Sequence, residues 1–312
     1  MSNKTLTIVI CQTREGNHTF PSLKENLLKP LKSDLAFCGS AKNDVADNIL
    51  QESKYIWNFP EPEDWDLACD EISREDSNWR ELCSSNDSFL GNATWRNNKS
   101  AGSGFIIMYW REVLRQNLTV EILNKYEWFV ITRSDFQWVV SHPHVDLLNE
   151  EEIYLLDGEK HGGISDRHII FHRHLAEQIL GIASPIFHES KELLTYFTEN
   201  RINNINPERF LSMMMERLGL VNRLRFLPYL GFCIRHEGTS SRWSYGKYVE
   251  KLDLYLKYPT EYKYASWAKF AIKSDEDWKR ILGRKIHLRF IIFRSLKHSF
   301  RLYSVVKNKA YR

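Results

Sequence analysis

The chain has no apolar run near the roughly 20 residues that a membrane-spanning helix needs. It also has no C-x-x-C pair, no metal-ligand spacing among its cysteines and no internal repeat. These absences exclude a spanning helix, a disulfide framework and a solenoid. Cys11, Cys38, Cys69, Cys83 and Cys233 are scattered and odd in number, which free thiols in a reducing compartment account for. The N-terminus lacks the basic and apolar regions of a signal peptide. The sequons at Asn17, Asn86, Asn92, Asn98 and Asn117 therefore read as chance in an Asn/Ser/Thr-rich chain, and a cytoplasmic location is expected. No nucleic-acid-binding motif is recognisable, and no nucleic-acid partner is expected.

What is present points to a globular protein. The 312 residues, 43% of them hydrophobic, can bury one large core or two moderate ones. The 13% of aromatic residues suits a pocket that stacks ring-shaped ligands, although most of these rings fill the core. The net charge of +3 hides an asymmetry: Lys279 to Arg312 holds eleven Lys/Arg and no Asp/Glu, leaving 32 basic against 40 acidic side chains in the body.

Leu6 to Ile10 is a short apolar run ending in Gln12-Thr13-Arg14, which predicts a buried parallel strand opening into a loop. A helix over Thr19 to Leu31, with Pro21 in its first turn, and a strand over Asp34 to Cys38 complete a β-α-β unit. The polar, irregular stretch from Pro60 to Gly104, with residues 84–104 its Asn/Ser/Gly-rich part, predicts a flexible insertion or lid. A single helix is expected over Phe105 to Tyr126, followed by a central strand, Trp128 to Ile131, and another at Ile153 to Leu156. Helices are expected over Leu175 to Gly181, Ser190 to Asn200 and Pro207 to Leu218, with Asn206 as N-cap of the last. Phe226 to Ile234 reads as a late strand broken at Pro228 and Gly231.

Two places concentrate chemistry. Arg133-Ser134-Asp135 follows a buried strand, so Asp135 projects from the carboxyl edge of the sheet, where open α/β sheets bind ligands. The bland alternative is a strand-terminal Asp capping a turn. From Asp157 to His168, Gly162 and Gly163 are expected to let the backbone approach the donor nucleotide closely, while acids, bases and hydrogen-bond donors crowd within twelve positions. Here Asp166 is the candidate general base, with Arg167 and His168 near an acceptor or a phosphate. The alternative is a charged loop that caps a helix through Ser165. Glu208, a further catalytic candidate with Asp166 and Arg167, sits in the first turn of its helix, a position the helix dipole favours in any case. His236 lies just past the last strand, where an imidazole could complete a metal site with Asp135.

In order along the chain come Gln12 and Arg14, Tyr126-Glu127-Trp128 leading into Arg133-Ser134-Asp135, Gly162 to His168, Asn206-Pro207-Glu208, and Arg235-His236. That order, over about Thr5 to Gly246, resembles bacterial glycosyltransferases of the WavE-like lipopolysaccharide and capsular polysaccharide type. The resemblance implies an α/β, GT-A-like Rossmann-type sheet and a nucleotide-sugar donor, by default UDP-linked. It also implies a glycan or lipid-linked glycan acceptor, with Gln12, Arg14, Arg133 and Asp135 at the nucleotide. An Arg-x-Asp element stands where other families carry Asp-x-Asp, so a Mn or Mg ion on Asp135 and His236 is a conditional expectation. A single carboxylate as base favours inversion. A non-catalytic carbohydrate- or nucleotide-binding module is the alternative reading. The expected division is a catalytic body over residues 1–250 and a basic helical extension over 251–312, whose segment 279–312 can contact a membrane peripherally.

Overall fold

The computed structural model describes residues 4–41, 47–84, 103–202, 205–235 and 246–283. Among them, eleven strands form two sheets. The strands are β1 (Thr5–Gln12), β2 (Ser33–Ser40), β3 (Tyr55–Asn58), β4 (Trp128–Arg133), β5 (Phe136–Trp138), β6 (Ile153–Leu156), β7 (His168–His172), β8 (Leu224–Leu227), β9 (Gly231–Arg235), β10 (Lys247–Val249) and β11 (Leu254–Leu256). The large sheet has the order β3-β2-β1-β4-β7-β6-β8. Both pairings of β7 are antiparallel, and the remaining pairings in this sheet are parallel. This is a mixed α/β, Rossmann-type sheet.

β1 is buried on both faces because the sheet is covered on both. Leu6, Ile8 and Ile10 enter one core with the helix Ser103–Asn117, and Val9 enters the other with Phe37 and Val130. The smaller sheet, β10-β11-β9-β5, is antiparallel throughout and belongs to the second core. The helix Pro259–Ala271 packs on β9.

Several boundaries differ from expectation. The first helix starts at Gly16, so Pro21 lies inside it, and a π-helical turn follows at Lys24–Leu28. The helix expected over Phe105 to Tyr126 breaks after Asn117 and restarts at Val120, because Thr119 caps a new N-terminus by accepting from the Ile122 amide. The segment Phe226 to Ile234 contributes to two sheets. Pro228 ends pairing in β8, and Gly231 permits the tight approach of β9 to β5, where an added Cβ would lie 2.3 Å from the Gln137 carbonyl oxygen. β10 and β11, on either side of residue 250, pair with each other, and Leu256, Ala265, Ala268, Ile272 and Trp278 join the second core. Most of the expected lid, residues 85–102, and residues 284–312 of the extension lie outside the described residues.

Candidate functional site

The chain runs outward from β1 through β2 to β3 and returns to β4 on the other flank of β1, so the order reverses between β1 and β4. The crevice beyond the carboxyl ends of strands at such a reversal is where open α/β sheets bind ligands. At the end of β1 the backbone leaves regular geometry: Cys11 has φ 77°. Its neighbour Gly39 has no room for a side chain, since an added Cβ would sit 1.6 Å from the Cys11 carbonyl oxygen. A residue held in the left-handed region at a strand end is strain of the kind concentrated at functional sites. Ser134 ties the two strand ends together by donating to the Gln12 carbonyl at 2.7 Å, while Thr19 donates to the Ser134 carbonyl.

This bracing fixes Asp135, which is 2% exposed. Arg133 grips it with a fork, Nε to Oδ1 at 3.0 Å and Nη2 to Oδ2 at 2.8 Å, and Arg235 donates to Oδ2 at 2.5 Å. Burial alone would raise the Asp135 carboxyl, but the guanidiniums of Arg133 and Arg235 and the Lys257 ammonium outweigh it and hold the group well below its ordinary value. Lys257 follows β11 and is pushed down to about 8, first by burial and then by the Arg133 charge. Arg14 is exposed, lies within electrostatic reach of Asp135, Arg133 and Arg235, and donates to the Gln12 side chain. Gln12 in turn donates to Glu61 at 2.5 Å. Four cations thus surround one buried carboxylate, an excess of positive charge at the switch point.

The second expected cluster sits beside it. Gly162 has φ 88°, and an added Cβ on Gly163 would lie 2.0 Å from the Glu208 carbonyl oxygen. The close approach that these glycines allow is therefore to the protein's own helix Pro207–Arg217, a correction to the expectation that a donor approaches there. Ile164 donates its amide to the Glu208 carbonyl at 2.9 Å, and Asn206 Nδ2 donates to the His161 carbonyl at 2.8 Å. Asn206 also caps the helix, accepting from the Arg209 amide at 2.8 Å. The docking brings the side chains of Asp166 and Glu208, 6% and 9% exposed, into electrostatic contact.

Burial, then the negative charge of Asp166, pushes the Glu208 carboxyl up from 4.5 to about 8. Because the folded chain holds this proton more tightly than the unfolded chain, the associated stability is fully present below pH 4.5 and is lost as pH rises through about 8. Glu208→Gln removes the titration while keeping the shape. Urea unfolding at pH 5.5 and pH 8.5 should show the variant gaining on the wild type by a few kcal/mol at the higher pH. Parallel behaviour of the two proteins would contradict the buried, protonated state.

Two expected site residues have other occupations. Arg167 is 3% exposed; it pairs with buried Glu261, donates to Tyr229 Oη at 3.2 Å and lies 4.8 Å from the Tyr258 ring centroid. Glu261 also accepts from the Cys233 amide at 2.8 Å and from Tyr229 Oη at 3.1 Å. Arg167, directly before β7, thereby ties the helix Pro259–Ala271 to that strand while Glu261 ties it to β9, a correction to the expected place of Arg167 at the reacting groups. His168 is 1% exposed in β7, its ring packed on Trp138 and His142, and burial pushes it well below its ordinary value. It is a neutral interior ring, which corrects the acceptor contact expected of it.

Both oxygens of Asp135 are engaged by guanidiniums, and no group of three or more His/Cys/Asp/Glu among the described residues could hold a metal. His236, the other expected ligand, lies outside the described residues.

Arg111, Arg235 and Lys257 were not among the expected site residues. Arg111, 3% exposed on the helix Ser103–Asn117, donates to the Asp166 carbonyl at 3.3 Å. Arg235 had a readable signal, since it ends an apolar run as Arg133 does. Arg111 and Lys257 had none, because pairing between distant segments puts them there.

No protein-family model matches the chain, and no curated protein matches it. Among solved structures it is similar to mouse xyloside xylosyltransferase 1 in its apo form, with a TM-score of 0.39 and 10% sequence identity over 73% of this chain and 85% of that one. No helix among the described residues is long and apolar enough to cross a membrane.

Proposed function

We propose that the protein is a glycosyltransferase that moves a sugar from a nucleotide-sugar donor to a hydroxyl of a glycan, with inversion at the anomeric carbon. The observation that carries this reading is the meeting, at the β1/β4 switch point, of four cations around Asp135 with the carboxyl pair Asp166 and Glu208. Departure of a nucleoside diphosphate develops negative charge on the leaving oxygen. Arg14, Arg133, Arg235 and Lys257 are suited to take up that charge, because preorganised cations in a water-poor site stabilise it without reorganising. Asp135 holds two of the guanidiniums in place. In the reaction the acceptor oxygen bonds to the anomeric carbon, the bond from that carbon to the diphosphate breaks, and the acceptor proton passes to Asp166. Burial and the negative charge of Asp166 favour the protonated form of Glu208 at neutral pH.

The resemblance to WavE-like enzymes supports UDP as the nucleotide and a cell-surface polysaccharide or lipopolysaccharide, free or lipid-linked, as the acceptor. A panel of nucleotide sugars assayed for nucleotide release, with and without Mn²⁺ or Mg²⁺, tests the reading. We expect release with at least one UDP-sugar and its persistence in EDTA. A binding module would retain nucleotide affinity and release nothing from any donor.

A further inference from the structure

The helix Pro259–Ala271 buries Glu261, Ala265 and Ala268, spaced four and three residues apart, against the body. Lys263, Trp267 and Phe270 repeat the same spacing two positions on, so they form the opposite face, flanked by Tyr264. Phe270 is 84% exposed, Trp267 57% and Tyr264 50%. Tyr264 and Trp267 meet edge to face with centroids 5.5 Å apart, and the Lys263 ammonium lies 4.8 Å from the Trp267 ring centroid. Trp267 and Tyr264 also border a groove of about 340 Å³ with Pro228, Tyr229 and Ile281, where the rim carboxylate Asp157 is paired with Lys160.

We propose that this face docks the protein on the interface of an anionic lipid bilayer. Trp and Tyr rings favour the headgroup level, where an apolar body and a polar edge are both accommodated. Lys263, Lys269 and Lys273 lie on or next to the helix, and from residue 279 onward the sequence carries eleven Lys/Arg and no acid. Among the intervening acids Asp275, Glu276 and Asp277, Glu276 pairs with Lys279 and Asp277 with Arg280, which leaves nine Lys/Arg from residue 284 onward with no acid in the sequence. Before residue 279 acidic side chains outnumber basic ones, 40 to 32, so the basic charge of the sequence that an anionic surface attracts is concentrated after this helix. Burying two large rings at the interface and neutralising a few lysines gives reversible binding, not insertion.

The test is co-sedimentation of the full chain with vesicles of phosphatidylcholine alone and of phosphatidylcholine mixed with phosphatidylglycerol, at low and high salt. The wild type should bind the mixed vesicles more tightly than the neutral ones, and high salt should weaken it. Trp267→Ser/Phe270→Ser should reduce the partition coefficient about tenfold, and Lys263→Glu should reduce it several-fold on anionic vesicles only. All three proteins should unfold at the same temperature, since these side chains point away from the core. Unchanged sedimentation of the double variant overturns the proposal. So does a wild-type dimer that the double variant converts to monomer, or a large fall in its unfolding temperature, because either would show the face already covered by protein.

Discussion

Asp135→Ala is expected to destabilise the protein by about 3–5 kcal/mol, the usual consequence of removing one partner from a buried ion pair and leaving charge behind. Two guanidiniums depend on this carboxylate, Arg133 through two hydrogen bonds and Arg235 through one, and Arg235 is only 4% exposed. For a chain of this size the unfolding temperature should fall by on the order of 10 °C. A nucleoside diphosphate should recover part of that loss, because its oxygens can take the place of the missing carboxylate between the two arginines. If Asp135 served a metal instead, the variant would keep near-native stability without metal and differ from the wild type only in the response to Mn²⁺. Urea unfolding of both proteins in EDTA, with and without UDP, separates the two patterns. A change below about 1 kcal/mol would remove Asp135 as the counter-ion of the arginine pair.

Asp166→Asn should lower the rate of transfer by about 10² to 10⁴, the contribution of a positioned general base. Its affinity for UDP should stay close to that of the wild type, since the proposed diphosphate cations lie around Asp135 and Asn keeps the volume and most of the packing. The neighbouring Glu208 should respond as well. Without the Asp166 charge its proton is held less tightly, so the titration that places it at about 8 moves down in the variant. A single-turnover assay with the donor that supports nucleotide release gives the rate, and the dependence of stability on pH gives the shift. Turnover at the wild-type rate would take the base role from Asp166.

What could be read from the sequence follows from where the information is local. β4 and β6 are continuous apolar runs and β1 is one interrupted only by Thr7, and a strand buried on both faces has to look much like that. The helix Pro207–Arg217 announces its start through Asn206 and Pro207, and the cap is made as expected. The edge position of Arg133 and Asp135 is legible because residues that end a buried strand emerge at the sheet edge. β7 was missed because its apolar centre, Ile169 to Phe171, is bounded by His168 and His172, so it merged with the polar cluster before it. β10 and β11, three residues each, carry too little pattern to stand out, and with them went Lys257. The glycine pair was noticed for a sound reason, the need for close approach. Only the structure identifies the approaching group as the backbone of Glu208 and Arg209. Arg167 and His168 carry reactive side chains, but partners far away in sequence, Glu261 for one and Trp138 for the other, decide that they are buried.

The central claim is that the cations at the β1/β4 switch point bind the diphosphate of a nucleotide. Calorimetric titration of UDP in EDTA, into the wild type and into Arg235→Met, tests it most directly. Losing one charge-assisted phosphate contact costs about 1.5–3 kcal/mol, so the account predicts saturable binding to the wild type and an affinity at least tenfold weaker in the variant. Equal affinities, or binding to the wild type only when a divalent ion is added, would contradict it.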